Sequence, residues 1–310
     1  MPRRHQGTGG RVITRKQLLA LVAITLMWGF NWPMMKYSLR ELSPLYFRAL
    51  TMTAGATWLY LFYRSRGMRM LPVGKEWGTV VKLGLPNMLC WHTAAILGVK
   101  ELASGRAAIL GFTMPIWTVL IGTLFLGEKL TARIAVAVVA VACAIGLLIS
   151  HEVGTLAGRP LGIAWMELAA LAWAIGTILI RRSHITLPAE TLTVWMMVLT
   201  CLCLWTFAFV LEPWPSWQFS GPMWGSLMYG AFINYGFSQI IWFGMARNLP
   251  PATSAMSIMA VPLVGTLGAT VIVGEWPHWE DYVAMVCVMA AIAAVLLPAR
   301  KRDNPAIATD

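Results

Sequence analysis

The sequence predicts an all-α integral membrane protein of ten transmembrane helices, arranged as two inverted five-helix repeats. Three observations carry this reading. Of 310 residues, 58% are hydrophobic and only 12% charged, about half the ~25% charge of an ordinary soluble domain. The chain divides into ten apolar runs of bilayer length. Its second half repeats landmarks of its first at offsets of 145 and 147 residues. So little charge cannot cover a soluble fold of this size, which excludes ordinary cytosolic enzymes, DNA-binding domains and disordered chains.

A spanning helix needs about 20 mostly apolar residues, because each adds ~1.5 Å across ~30 Å of hydrocarbon. Runs of that size fall near 17–38, 44–63, 79–99, 104–126 and 131–150, then 161–180, 190–211, 223–245, 252–274 and 280–298. The gaps are too short for an extramembrane domain. The first run is too long for a cleavable signal, contains Trp28, Asn31, Trp32 and Pro33, and is followed by no small-residue cleavage site. The expected organisation is a tail at 1–16, a first repeat at 17–150, a second at 151–298 and a tail at 299–310. All five cysteines, Cys90, Cys143, Cys201, Cys203 and Cys287, lie inside apolar runs and are expected to act as small buried hydrophobes rather than metal ligands.

The net charge of +11 suggests nucleic acid in a soluble protein. Here the basic residues sit in the gaps, where they report topology instead. With the N-terminus cytoplasmic, 18 of the 24 Lys and Arg residues fall inside. That bias predicts both termini in the cytoplasm.

The repeat is readable residue by residue. Span 4 carries Pro115 and ends at Gly127-Glu128; span 9 carries Pro262 and ends at Gly274-Glu275. Both read P-x11-G-E. Span 1 has Trp28 followed by Lys36, and span 6 has Trp173 followed by Arg181. Five helices per repeat is an odd number, so the second copy enters the membrane upside down, as in many secondary transporters.

Two five-helix halves, each closing its fourth helix with Pro and then Gly-Glu, together with Trp28, Gly29 and Asn31 in span 1, resemble the EamA-type members of the drug/metabolite transporter superfamily. The resemblance covers roughly residues 15–300. Within the family the chain looks most like bacterial inner-membrane exporters of amino acids, including aromatic ones. The resemblance implies a basket of spans 1–4 and 6–9 around a central cavity, with spans 5 and 10 outside it. It also implies a monomer in the bacterial inner membrane.

The polar and aromatic residues that can line such a cavity lie in spans 1, 3, 6, 8 and 9. They are Trp28 and Asn31; Trp91 and His92; Trp173; Tyr229, Asn234, Tyr235, Gln239 and Trp242; and Ser254 and Ser257. Polar groups at bilayer depth are costly unless they face a cavity or a partner. The amides of Asn31, Asn234 and Gln239 suit a zwitterion, or equally a helix-to-helix hydrogen bond. His92 and Glu167 are the titratable candidates; Glu167 can read a cation or snorkel to the interface, and the second is favoured. Pro115 and Pro262 each free a backbone carbonyl and supply a bend for gating. Arg48 and Arg106 lie toward the outer side, attracting a carboxylate or anchoring helix ends. Glu128 and Glu275 are read as caps. Trp77, Trp214, Trp217, Trp276 and Trp279 sit at span ends as an interfacial belt.

The expected activity is export of amino acids, broad in specificity and including aromatic ones, by alternating access. The alternative is export of a drug or cationic metabolite, which would use Glu167. No G-x4-G-K-[ST] is present, so a gradient rather than ATP is the expected driving force. The chain has no H-E-x-x-H, and its aspartates are only Asp281, Asp303 and Asp310. Neither a catalytic site nor a metal or cofactor is expected, and neither charge rings nor a filter loop suggest a channel. The partners expected are amino acids and the lipid bilayer, with no nucleic acid.

Overall fold

A computed structural model describes residues 14–154, 160–248 and 251–296, and the side chains of all of these but 151–154, 246–248, 251–258 and 296. The described residues are all-helical, with no strand among them. In chain order the helices are α1 (Arg15–Ser38), α2 (Pro44–Ser65), α3 (Glu76–Glu101), α4 (Ser104–Phe125) and α5 (Ala132–Gly154). They continue as α6 (Pro160–Arg182), α7 (Ala189–Leu211), α8 (Gly221–Met228, Tyr229–Phe237 and Ser238–Asn248), α9 (Pro251–Ile272) and α10 (Trp279–Leu296). Six of them, α1 and α3 to α7, are long and apolar enough to cross a membrane.

Local chemistry sets the ends. Thr14 and Gln17 exchange side-chain and backbone hydrogen bonds at the start of α1, the reciprocal cap that satisfies two otherwise orphaned amides. Pro44 opens α2, where a missing N–H costs nothing. Glu212 reaches the same turn from the end of α7, accepting from the amides of Leu45 at 3.0 Å and Tyr46 at 3.1 Å. At the other end of the pair, Thr191 in the first turn of α7 donates to the Arg69 carbonyl just beyond α2. The helices α2 and α7 therefore run antiparallel.

Three helices depart from a regular α-helix. In α3, residues Leu85–Cys90 widen into a π-turn that carries Pro86 as its second residue. In α8, Tyr229–Phe237 do the same without a proline. Such turns misalign the backbone ladder and collect at functional sites. The third departure is in α4, which stops at Gly111 and restarts at Met114. Pro115 thus sits in the first turn of a new helical piece, whereas Pro262 lies inside the unbroken α9. The two prolines, expected as equivalent kinks, are placed differently.

The major packed pairs are α1 with α9, α4 with α6, α3 with α6, α2 with α7 and α8, and α5 with α10. Glycines let some of these approach closely. A Cβ on Gly29 would stand 2.4 Å from Val264 of α9, and one on Gly55 would stand 2.3 Å from Tyr235 of α8. Cys201 is buried and Cys203 and Cys287 are half-buried, but Cys90 and Cys143 are exposed on the bundle surface, contrary to the expectation that all five are interior. The belt tryptophans Trp77, Trp214, Trp217, Trp276 and Trp279 are all exposed.

Candidate functional site

Between α1, α2, α3, α6 and α8 the polar and aromatic side chains form one continuous chain of contacts. It begins with Trp242, whose ring centroid lies 5.3 Å from that of Trp28. The Trp28 indole N–H donates to Ser238 Oγ at 3.2 Å, and the Ser238 hydroxyl donates to the Asn234 carbonyl one turn earlier. Next to Asn234, the Tyr235 hydroxyl accepts from Arg48 Nη1 at 2.8 Å. The Tyr235 ring lies 5.5 Å from His92. His92 adjoins Trp91, which meets Trp173 of α6 edge-on at 5.2 Å.

Two side branches join the chain. The Tyr229 hydroxyl donates to the Met27 carbonyl at 2.8 Å. Asn31 Nδ2 lies 3.6 Å from Met35 Sδ, which also receives Arg48 Nη2 at 2.8 Å. His92 Nδ1 is 2.9 Å from the Met88 carbonyl. A carbonyl can only accept, so Nδ1 carries the proton and a neutral ring presents Nε2 as an acceptor.

The π-turn of α8 explains how one helix serves several partners. It presents Tyr229 to α1 and Tyr235 to α2 and α3, and the turn runs straight into Ser238. The α3 π-turn ends at Cys90, just before Trp91 and His92. The two widened turns thus flank the site from opposite halves of the chain.

Trp28, Asn31, Trp91, His92, Trp173, Tyr229, Tyr235 and Trp242 are therefore gathered together; Asn234 is buried and joins them through its backbone carbonyl. Gln239 is half-buried, and no described contact ties it to the chain. The side chains of Ser254 and Ser257 lie outside the described residues. Glu167 does not snorkel: its carboxylate accepts from Trp117 Nε1 at 2.7 Å and from the Thr113 hydroxyl at 3.2 Å. Thr113 lies in the break of α4 and Trp117 in the piece that follows it, so Glu167 belongs to that break.

The chief omission from the residues singled out by sequence for the cavity is Arg48. It lies one turn into α2 with 3% of its surface exposed, at the centre of the contact chain. Its place inside an apolar run, with no acid nearby in sequence, was the available signal. A second group of contacts also depends on distant partners. Ser104 donates its amide and hydroxyl to Glu275 Oε2, each at 2.7 Å. Arg106 Nε donates to Asp281 Oδ1 at 2.6 Å, both side chains buried. These tie the start of α4 to the α9–α10 connection, beside a cavity of about 230 Å³. They also show α4 and α9 to be antiparallel.

A polar and aromatic site among helices of which α1, α3 and α6 are long and apolar enough to cross a bilayer suits a membrane transporter. The chain belongs to the EamA-like transporter family, which matches it twice, over residues 15–150 and 160–297. It is similar to the uncharacterized transporter YoaV of Bacillus subtilis, at 23% identity over 80% of this chain and 86% of that one. The uncharacterized inner membrane transporter YedA of Escherichia coli is 23% identical over 90% of each chain. A probable amino-acid metabolite efflux pump of Escherichia coli is 21% identical over 90% of this chain and 94% of its own. A crystal structure shares the fold with a TM-score of 0.64 at 18% identity, covering 89% of this chain and 94% of that one.

Proposed function

We propose that the chain is a secondary transporter of the bacterial inner membrane that exports amino acids, aromatic ones among them, by alternating access. In this reading ten helices cross the membrane as two inverted five-helix repeats, 17–150 and 151–298, around a central cavity, with both termini cytoplasmic. The protein works as a monomer.

The observation that carries the reading is the contact chain of the site. It combines large apolar rings with neutral amides and hydroxyls and one cation, the set that an amphipathic zwitterion requires. Likeness to an amino-acid metabolite efflux pump supports the substrate class. The packing supports the inverted repeat. Exchanging each helix for the one five places along converts α1–α9 into α6–α4 and α2–α8 into α7–α3, and all four pairs are packed. The pairs α2–α7, α4–α9 and α5–α10 map onto themselves. The antiparallel contacts of α2 with α7 and of α4 with α9 are what inversion demands. With the N-terminus inside, the Ser104–Glu275 and Arg106–Asp281 contacts fall on the outer side.

Export of a cation draws less support. The carboxylate in the spans nearest the site, Glu167, is engaged by Trp117 and Thr113, while the charge at the centre is the positive Arg48.

The test is uptake of labelled L-phenylalanine, L-threonine and L-lysine into proteoliposomes, with and without a pH gradient. The expected result is saturable movement of more than one amino acid, phenylalanine included. Movement of none, with a lipophilic cation moving instead, would overturn the proposal.

A further inference from the structure

We propose that Arg48 is the carboxylate-binding residue of the transport site, taking the anionic group of the substrate with its Nε–H and the phenolic hydrogen of Tyr235. The proposal rests on the transport reading above and deepens it.

The first argument is charge. Arg48 is 3% exposed, and a buried guanidinium keeps its charge because it cannot be deprotonated in a protein. Removing such a charge from water is costly unless a counter-charge is present. Among the described residues no carboxylate lies within ion-pair distance of it. Its partners are a phenol oxygen and a thioether sulfur, both neutral and the second a weak acceptor. Arg106 shows what the protein does elsewhere: at 6% exposure it is held by Asp281 at 2.6 Å. One buried arginine has its anion among the described residues, and the other does not.

The second argument is hydrogen bonding. Arg48 Nε is buried and has no partner, although buried donors are nearly always satisfied. Tyr235 accepts from Nη1 through its oxygen, so its own hydrogen remains to be given. Two donors on neighbouring groups, one of them cationic, match the two oxygens of a carboxylate.

The third argument is position. Arg48 is tied by Tyr235 to the α8 π-turn. From Tyr235 the contacts run through His92 and Trp91 to Trp173. A molecule with its carboxylate at Arg48 thus finds aromatic walls within a side chain's length. The guanidinium is closed off in this conformation, so the site is one that opens as the helices part.

The experiment measures binding to the purified full-length protein by thermal unfolding and tryptophan fluorescence. The probes are 3-phenylpropionate and its neutral isostere 3-phenylpropionamide, with sodium chloride at matched ionic strength. The acid should bind roughly 10- to 100-fold more tightly than the amide, the ratio that charge-assisted hydrogen bonds provide. Arg48→Gln should bring acid binding down toward that of the amide and so remove the preference, and Arg48→Lys should retain part of it. Equal binding of acid and amide by the wild type would overturn the assignment, as would failure of the acid to bind. So would undiminished acid binding by a folded Arg48→Gln protein, or equal protection by chloride. Should Arg48→Gln not fold, the wild-type ratio decides. Binding of the acid through Arg48 with no amino acid transported would sink the export reading and leave this site standing. Transport of L-phenylalanine unaltered by Arg48→Gln would do the reverse.

Discussion

The fourth helix of each family-matched half carries the same P-x11-G-E signature, yet α4 breaks in its middle and α9 does not. Their C-terminal ends are alike. Gly127 and Gly274 both adopt left-handed backbone, with φ of 72° and 75°, a conformation that nearly demands glycine. The Glu128 amide returns to the Gly122 carbonyl and the Glu275 amide to the Ala269 carbonyl, at 3.1 and 3.2 Å. The Gly-Glu pair is therefore a helix stop, used twice.

The difference between the two lies in what each helix offers to competing partners. In α4, Gly111 weakens the helix and the Thr113 hydroxyl takes the Leu110 carbonyl at 2.8 Å, an alternative to the helical ladder. Thr113 also serves Glu167. The aligned positions in α9 are Ile258 and Ala260, which offer no such competitor, and the helix runs through its proline. The lesson is that proline alone does not break a buried helix here. In α4 the break forms where a glycine and a side chain that competes for a nearby carbonyl accompany the proline.

The starts of the two helices differ more sharply, and there the largest effect is expected. Arg106 of α4 aligns with Thr253, and Asp281 aligns with Ile134, so the buried ion pair has no counterpart in the exchanged position. Asp281→Asn keeps an oxygen to accept from the His278 amide but removes the negative charge that faces Arg106. Breaking one side of a buried pair costs about 3–5 kcal/mol. Thermal unfolding in detergent should show a loss of that order, while Ile134→Asn at the exchanged, half-buried position should cost less. Equal losses would mean that the ion pair is not what distinguishes the two ends.

The glutamates of the repeat provide a smaller and cleaner contrast. Glu275 crosses to Ser104, and losing a charged cap of this kind costs ~1–2 kcal/mol. Glu128 is exposed, and its replacement should change stability by less than ~0.5 kcal/mol. The pair Glu275→Ala and Glu128→Ala should therefore separate in unfolding temperature. If they coincide, the identical motif has one identical role and the crossing contact contributes nothing.

These features were unevenly legible in the sequence. The apolar runs matched the helices to within a few residues, because a bilayer leaves a helix little choice of length. Pro115 flagged the break in α4, but the same reasoning wrongly equated it with Pro262. The π-turn of α8 contains no proline and leaves no mark on periodicity. Arg48 and Glu167 were visible as charges inside spans. Their partners, Tyr235 for one and Thr113 and Trp117 for the other, are fixed only by how separate helices turn toward each other. The Glu275–Ser104 contact joins residues 171 apart, a distance over which local pattern carries no information. The repeat made Glu275 conspicuous; only packing shows that it serves the other half's helix.

The same comparison yields its finest test at Gly122, which aligns with Ala269. A Cβ on Gly122 would lie 2.4 Å from Glu128 Oε2. The missing side chain thus leaves room for the Glu128 carboxylate to fold back over its own helix. At Ala269 the methyl group occupies that space, and Glu275 instead points to Ser104. Gly122→Ala should therefore push the Glu128 carboxylate away at little cost, because the clashing atom ends a flexible side chain. Alanine is also favoured over glycine inside a helix by roughly 0.5–1 kcal/mol. The expected outcome is a stability unchanged or raised by up to about 1 kcal/mol in thermal unfolding, and the same gain in a Glu128→Ala background. A loss beyond ~1 kcal/mol that Glu128→Ala relieves would show that the carboxylate is held there as firmly as Glu275 is held at Ser104. The two helix ends would then differ in direction but not in strength.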